Sequence, residues 1–133
     1  MPYARHMKRS ETLQPLSREH YAALILAKAC ERTSKSGDER SVTEVCPQAL
    51  QAYESQLEPH FQFEECSLLP LLKSIDAQPL VERTLADHGR LRDLLSGLRR
   101  NDAESLGSFG KCLTDHVRFE ERELFPLLED LLH

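Results

Sequence analysis

Two segments of the chain repeat one pattern of polar and apolar residues. HFQFEECSLLPLL begins at His60 and HVRFEERELFPLL begins at His116, and eight of the thirteen aligned positions are identical. In each copy a histidine precedes a glutamate by four residues, so on a helix both side chains project from one face. Imidazoles and carboxylates are ligands for iron, zinc and copper. The spacing therefore predicts that His60 with Glu64, and His116 with Glu120, bind metal.

Two further histidines, His20 and His88, precede the two copies, each in the middle of an apolar stripe with helical spacing. Such positions face a core, where an unpaired carboxylate is very costly or is neutralised by a shift in its pKa. Two metal ions solve this problem, since each receives two histidines and a share of two bridging carboxylates. Open coordination positions remain for a small molecule. The candidate metal ligands are His20, His60, Glu64, His88, His116 and Glu120.

The same residues permit other interpretations. A single histidine on an apolar stripe is often a hydrogen-bonded core residue, and the six together could form a polar core without metal. Glu65 and Glu121 are rotated by about 100° from their neighbours, so we expect them to be solvated or ion-paired. Cys112, one turn before His116, is expected to be a small core residue.

Four amphipathic segments must position these residues. Short polar connectors separate them, which predicts an all-α, antiparallel up-down four-helix bundle. The repeat further predicts that two similar helical hairpins are related by an approximate two-fold axis. We assign residues 1–11 to an N-terminal tail and 12–133 to the bundle. Ser17 and a capping box at 41–44 are predicted to start the first two helices, and Pro79 the third. Pro59 is predicted to kink the second helix beside His60.

Composition narrows the class of protein. The chain has 133 residues and a formal net charge of −5, so we expect no nucleic-acid partner. No apolar run reaches the ~20 residues that span a bilayer, and the N-terminus lacks the apolar region of a secretory signal. The four widely spaced cysteines are expected to be reduced thiols of a cytoplasmic protein.

The residues resemble the bacterial hemerythrin-like domains, also called HHE cation-binding domains. The similarity covers roughly residues 12–132 and lies in SREH at 17–20, ADHGRL at 86–91 and the two repeated segments. It implies a four-helix bundle around a non-haem di-iron centre, with a bridging oxo or hydroxo group in some states. His20 and His60 would hold one iron, His88 and His116 the other, and Glu64 and Glu120 would bridge. Zinc or a single metal is the alternative occupant.

The sequence departs from the oxygen-carrying members, which place two histidines one turn apart on the third helix. Thr84 stands one turn before His88, so the chain offers four histidines rather than five. The resemblance implies binding or sensing of dioxygen, nitric oxide or peroxide, and the missing histidine favours the alternative of a di-iron oxidoreductase that turns over peroxide or nitric oxide. Whether the chain is an enzyme is left open. A homodimer or an unidentified protein partner would carry a signal onward.

Two other helical bundles were weighed against this resemblance. A phosphotransfer bundle exposes one reactive histidine, for which His88 is the candidate, but it leaves the repeated segments unexplained. Ferritin-like bundles use Glu-x-x-His and depend mainly on carboxylates, whereas here the histidine comes first and histidines outnumber the candidate carboxylates.

Overall fold

Four long helical stretches form the architecture, as the sequence predicts. The computed structural model describes residues 9–132, and no strand occurs within this range. Helix one is Gln14–Ser36, and helix two comprises Glu39–Ala52 and Glu58–Phe63. Helix three comprises Gln78–Asp93 and Leu95–Arg99, and helix four comprises Ala103–Phe119 and Phe125–Leu132. Three π-helical turns continue these segments, namely Tyr53–Leu57, Glu64–Leu68 and Glu120–Leu124. Two 3₁₀ turns, Leu69–Leu71 and Ile75–Ala77, lead into the third helix.

Contacts between neighbouring helices show the antiparallel order. The Ser34 hydroxyl near the end of helix one donates to the Ala103 carbonyl at the start of helix four, at 2.7 Å. At the opposite end, the Ser10 amide donates to Glu129 Oε2 at 2.8 Å. The connection between helices one and two is only Gly37 and Asp38, and Gly37 ends helix one with φ of 73°, a left-handed conformation that suits glycine. The predicted up-down bundle is therefore confirmed.

The helix starts differ in part from the predictions. Helix one begins at Gln14, and the Ser17 hydroxyl donates to Glu121 Oε2 at 2.8 Å instead of capping the helix. Helix two begins at Glu39, where Asp38 accepts from the Arg40 amide, so the predicted capping box lies one turn too late. The predicted start at Pro79 is confirmed, because helix three begins at the preceding residue.

A π-helical turn lies just before Pro59, where the sequence predicts a kink in helix two. It spans Tyr53–Leu57, and the Glu58 amide donates to the Tyr53 carbonyl, five residues back. The other two π turns likewise end just before Leu69-Pro70 and Phe125-Pro126. A proline ring clashes with the carbonyl four residues earlier, and the wider turn relieves that clash. Two of these turns begin at Glu64 and Glu120, so the prolines of the repeat shape the backbone at the candidate ligands.

Two apolar clusters fill the interior, and the candidate ligands form a polar layer between them. On helix one, His20 lies between Leu16 of one cluster and Ala23 of the other. On helix four, His116 and Glu120 are followed by Leu124, which belongs to the same cluster as Leu16. The larger cluster contains Phe61, Leu91, Leu98, Phe109 and Leu113, and the smaller contains Leu13, Leu68, Phe119, Phe125 and Leu128.

The predicted N-terminal tail falls mostly on residues 1–8, outside the described range. Within that range, Arg9 and Ser10 contact the bundle, since Arg9 Nη2 lies 3.0 Å from Glu121 Oε1. Among residues 9–132, none of the helices combines the length and the apolar character that a membrane span requires.

Candidate metal centre

The structure brings the six predicted ligands together in the polar layer. All six are buried, and Glu64, His88 and Glu120 are 0 % exposed. They form two groups, and within each group one potential ligand atom per residue lies within 4.8 Å of all the others. The first group is His20, His60, Glu64 and Glu120, and the second is His88, His116, Glu64 and Glu120.

Glu64 lies between the two groups because its two carboxylate oxygens face different histidines. Oε2 is 2.9 Å from Nε2 of His60, which is one helical turn earlier on the same helix. Oε1 is 3.0 Å from Nε2 of His88 on helix three. One carboxylate thus reaches a histidine of each group, the arrangement that a carboxylate shared by two cations requires.

Glu120 repeats this arrangement from the other half of the bundle. Its Oε1 is 2.7 Å from Nε2 of His20, and its Oε2 is 3.1 Å from Nε2 of His116. The imidazole rings within the groups are also similarly spaced, with centroids 5.0 Å apart for His20 and His60 and 4.9 Å apart for His88 and His116. The two hairpins therefore repeat the same contacts around the approximate axis that the sequence repeat predicts.

A second carboxylate holds the far side of every candidate histidine. Because an ionised carboxylate only accepts hydrogen bonds, each contact places a ring proton on Nδ1 and directs Nε2 toward the centre. The four pairs are His20 with Glu121 at 2.6 Å, His60 with Glu19 at 2.7 Å, His88 with Glu65 at 2.6 Å and His116 with Asp87 at 2.9 Å.

Sequence reasoning missed these four outer carboxylates. Glu65 and Glu121 were expected to be solvated or ion-paired, and they do form ion pairs with Arg92 and Arg9, at 2.9 and 3.0 Å. Their contacts with the histidines were not foreseen. A signal was present, because an acidic residue precedes both His20 and His88 and a second glutamate follows both Glu64 and Glu120.

Arg92 ties one outer carboxylate into a wider network. Its Nη1 bonds to Glu65 Oε2, while Nε and Nη2 both bond to Glu58 at 3.1 Å. The Tyr53 hydroxyl donates to Glu58 as well. Burial raises the pKa of Glu58, but the hydrogen bonds from Arg92, Tyr53 and Gln62 outweigh it and bring the pKa to about 2. The network stays charged at neutral pH and holds Glu65 against His88.

Electrostatics in the core favour a cation. Burial and the charge of Glu120 raise the pKa of Glu64, whereas His116, His20 and His60 hold the pKa of Glu120 well below its usual range despite burial. For His60, burial lowers the pKa but the two glutamates raise it to about 11. Without a metal, protons must supply the positive charge that these two buried carboxylates need.

Two buried atoms support a metal ion rather than a closed hydrogen-bonded core. Nε2 of His116 and Oε2 of Glu120 form an ion pair at 3.1 Å, but neither atom makes a well-aligned hydrogen bond within the described residues. Buried polar atoms without well-aligned hydrogen bonds are rare and costly. Nitrogen and carboxylate donors aimed at one point suit iron or zinc. The residues present therefore fit a metal site.

Residues three or four positions from the candidate ligands are predicted, on helical spacing alone, to form a mostly apolar wall around the metals, and the surroundings of the site confirm part of it. These residues are Ala23, Leu24, Leu57, Phe63, Thr84, Leu91, Cys112, Leu113 and Phe119. A narrow cavity beside His20 and His60 is lined partly by candidate ligands and partly by apolar residues, which include the predicted Ala23, Leu57 and Leu113. Phe61, which was not predicted, stacks on His88 with ring centroids 4.0 Å apart. Phe63 was expected in this wall on spacing alone, but it is 39 % exposed and points away from the core. Cys112 is partly buried and packs against the larger cluster, as its core interpretation predicts.

Thr84, in the place of a fifth histidine, is buried, and its hydroxyl donates to the Leu80 carbonyl at 2.8 Å. The hydroxyl proton of Thr84 is therefore used in a hydrogen bond within its own helix. The third helix therefore contributes one imidazole to the site, from His88, as the sequence indicates.

Comparison with known proteins identifies the family. The family model described as the Hemerythrin HHE cation binding domain matches residues 4–128, nearly the whole chain. Neither the curated proteins nor the solved structures include a significant match. With the buried His and Glu groups described above, the match establishes a cation-binding fold. The chain belongs to the hemerythrin HHE cation-binding domain family.

Proposed function

We propose that this chain is a non-haem di-iron protein that binds or senses a small oxidant, namely dioxygen, nitric oxide or peroxide. The observation that carries the proposal is the position of Glu64 and Glu120, each with one oxygen toward each histidine group. One iron would be held by His20 and His60, the other by His88 and His116, and both carboxylates would be shared. A pair of irons supplies reversible redox chemistry and open positions for a small ligand.

The protein's own residues restrict what reaches this centre. The cavity beside His20 and His60 has a free volume of ≈ 10 Å³, about the space that one water needs. Its apolar lining includes Ala23, Phe61 and Val117. A cavity of this size supports a ligand of two or three atoms rather than an organic substrate. The four free cysteines support the cytoplasm as the compartment, since thiols persist in reducing surroundings.

One observation favours a second function, that of an oxidoreductase that turns over peroxide or nitric oxide. The Thr84 hydroxyl bonds to the Leu80 carbonyl, and with threonine in this place an iron held by His88 and His116 would have no third imidazole. An additional open position suits turnover better than stable carriage of a ligand.

Titration of the reduced, iron-loaded protein tests both functions. Under anaerobic conditions, dioxygen, nitric oxide and hydrogen peroxide are added separately, and the optical spectrum and ligand consumption are recorded. With ascorbate present as the electron donor, consumption that stops near one ligand per chain supports binding or sensing, while continuing consumption supports the oxidoreductase. Zinc-loaded protein is the control, because it has the same fold without redox chemistry. If none of the three changes the spectrum, the proposal is wrong.

A further inference from the structure

A groove between helices one and four is lined by both apolar and basic side chains. It has a volume of ≈ 930 Å³ and lies on the outside of the bundle. Two of its apolar side chains are unusually exposed, Tyr21 at 71 % and Ile25 at 57 %. We call it the basic groove; its lining residues are Tyr21, Leu24, Ile25, Lys28, Glu31, Arg32, Lys35, Lys111, Thr114, Asp115 and Arg118.

The charge of the basic groove opposes that of the whole chain. Its lining includes five basic and two acidic residues, in a protein of net charge −5. Both acidic residues already have partners, since Asp115 pairs with Lys111 at 3.0 Å and Glu31 accepts from Thr114 at 3.3 Å. The remaining cations make no ion pair within residues 9–132; they are Lys28, Arg32, Lys35 and Arg118. Four positive charges are therefore available to an acidic partner.

The geometry of the groove matches a helix. The exposed stripe of helix one runs through positions 21, 25, 28, 32 and 35, which covers about 21 Å at 1.5 Å per residue. Its wall on helix four carries Lys111, Asp115 and Arg118 at the same helical spacing. A concave surface of this length accommodates about four turns of one helix, whereas a flat lipid surface contacts only a rim.

We propose that the basic groove docks an acidic amphipathic helix of a partner protein. Apolar side chains of that helix would pack on Tyr21, Leu24 and Ile25, and its flanking carboxylates would pair with the unpaired cations. Tyr21 directly follows His20, and helices one and four both carry candidate ligands, so a bound partner contacts the helices that hold the metals. The connection between the docked helix and the metals rests on the proposed function, but the docking itself does not.

The probe is a synthetic amphipathic peptide of about 15 residues with leucines at helical spacing and glutamates on both flanks. Its binding to the iron-loaded protein is measured by fluorescence anisotropy. The test variant combines Lys28→Glu and Arg32→Glu; the control combines Lys73→Glu and Arg99→Glu, exposed cations outside the groove. We expect the test variant to weaken binding about tenfold or more and the control less than about twofold. Equal weakening by both variants would refute a specific site.

Further measurements test the apolar contact and distinguish a partner helix from lipid or a second copy of the chain as the molecule that binds the groove. Ile25→Ser should weaken binding about fivefold, and a peptide of identical composition in scrambled order should bind at least as weakly as that. Equal binding of the scrambled peptide would reduce the groove to a non-specific cation patch and overturn the proposal. So would preferential binding to phosphatidylserine vesicles, or a dimer in light scattering that Ile25→Ser abolishes. Unchanged iron content in every variant shows that the metal site is intact, so a failure here is distinct from failure of the proposed function.

Discussion

Nδ1 of His88 lies 2.6 Å from Oε2 of Glu65, and the same contact joins His20 to Glu121 at 2.6 Å. Each glutamate directly follows the glutamate that faces the centre, so one Glu-Glu pair supplies both an inner carboxylate and an outer one. The outer carboxylate orients an imidazole of a neighbouring helix and increases its basicity. The repeated Glu-Glu pair thereby links helix two to helix three and helix four to helix one.

Removal of one outer negative charge should weaken metal binding. In Glu65→Gln the side chain keeps its size but loses the charge that orients His88. We expect metal affinity to fall about 10-fold to 100-fold, measured by competition with a coloured chelator. Glu123→Gln, at an exposed position in the second copy of the repeat, is the matched control and should leave affinity unchanged. Wild-type affinity in Glu65→Gln would show that the contact has no role in binding.

Metal uptake should release protons. In the metal-free protein, burial lowers the pKa values of His60 and His116, but nearby carboxylates, Asp87 beside His116 among them, outweigh it and raise them to about 11 and about 10. Both imidazoles are therefore protonated at pH 7, and metal competes with those protons. We expect release of about two protons per chain on loading at pH 7, and affinity that falls as the pH falls. A pH indicator in weakly buffered solution measures the release. Loading without any proton release would contradict these protonation states.

Loss of metal should destabilise the fold. A ligand that binds only the folded state stabilises it by about 2.7 kcal/mol at a free concentration of one hundred times its Kd. For a chain of 133 residues, this corresponds to a decrease in Tm on the order of 10 °C upon removal. Calorimetry before and after chelation, with metal content measured in both samples, provides the comparison. An equal Tm in a fully stripped sample would argue that the polar layer is stable without metal.

The packing of helix four against helix one should depend on Gly110. A Cβ at this position would lie 2.6 Å from the Ala27 carbonyl oxygen and 2.8 Å from Cγ of Glu31. The backbone carbonyl cannot move aside without moving its helix, so Gly110→Ala should cost about 1–3 kcal/mol in the free energy of unfolding. Urea denaturation measures this cost.

Gly89 provides the matched control within helix three. A Cβ there meets nothing within 4 Å. Gly89→Ala should therefore stabilise the protein by about 0.5–1 kcal/mol, because alanine has the higher helix propensity. If both substitutions changed stability alike, the close approach at Gly110 would not matter.

The sequence predicted the bundle and the six central residues for a simple physical reason. Histidine and glutamate four apart share a helical face, and the apolar residues before and after them identify that face as the buried one. Glu19 and Asp87 escaped prediction because each bonds a histidine on another helix, His60 and His116, and only the packed structure shows that contact. Ser17 was misassigned for a similar reason, since its hydroxyl bonds to Glu121 across the bundle.

The π-helical turns show how much of the backbone geometry a proline in the sequence can predict. Pro59 indicated irregular backbone near His60, and the two prolines of the repeat, Pro70 and Pro126, lie six residues after Glu64 and Glu120. Whether the chain kinks, ends or widens at a proline depends on the packing of both ends of the helix. Helix two ends in a 3₁₀ turn at Pro70, whereas helix four continues past Pro126. Equal sequence signals thus led to two different outcomes.

The central claim is that two irons share Glu64 and Glu120. The most direct test is the iron content per chain after anaerobic reconstitution, combined with Mössbauer spectroscopy of the oxidised protein. We expect about two irons per chain with the spectrum of an exchange-coupled ferric pair. Glu120→Gln should bind less iron and show a smaller coupled fraction, while Glu123→Gln should match the wild type in both. One uncoupled iron per chain, or no uptake at all, would contradict the shared carboxylates and the function proposed from them.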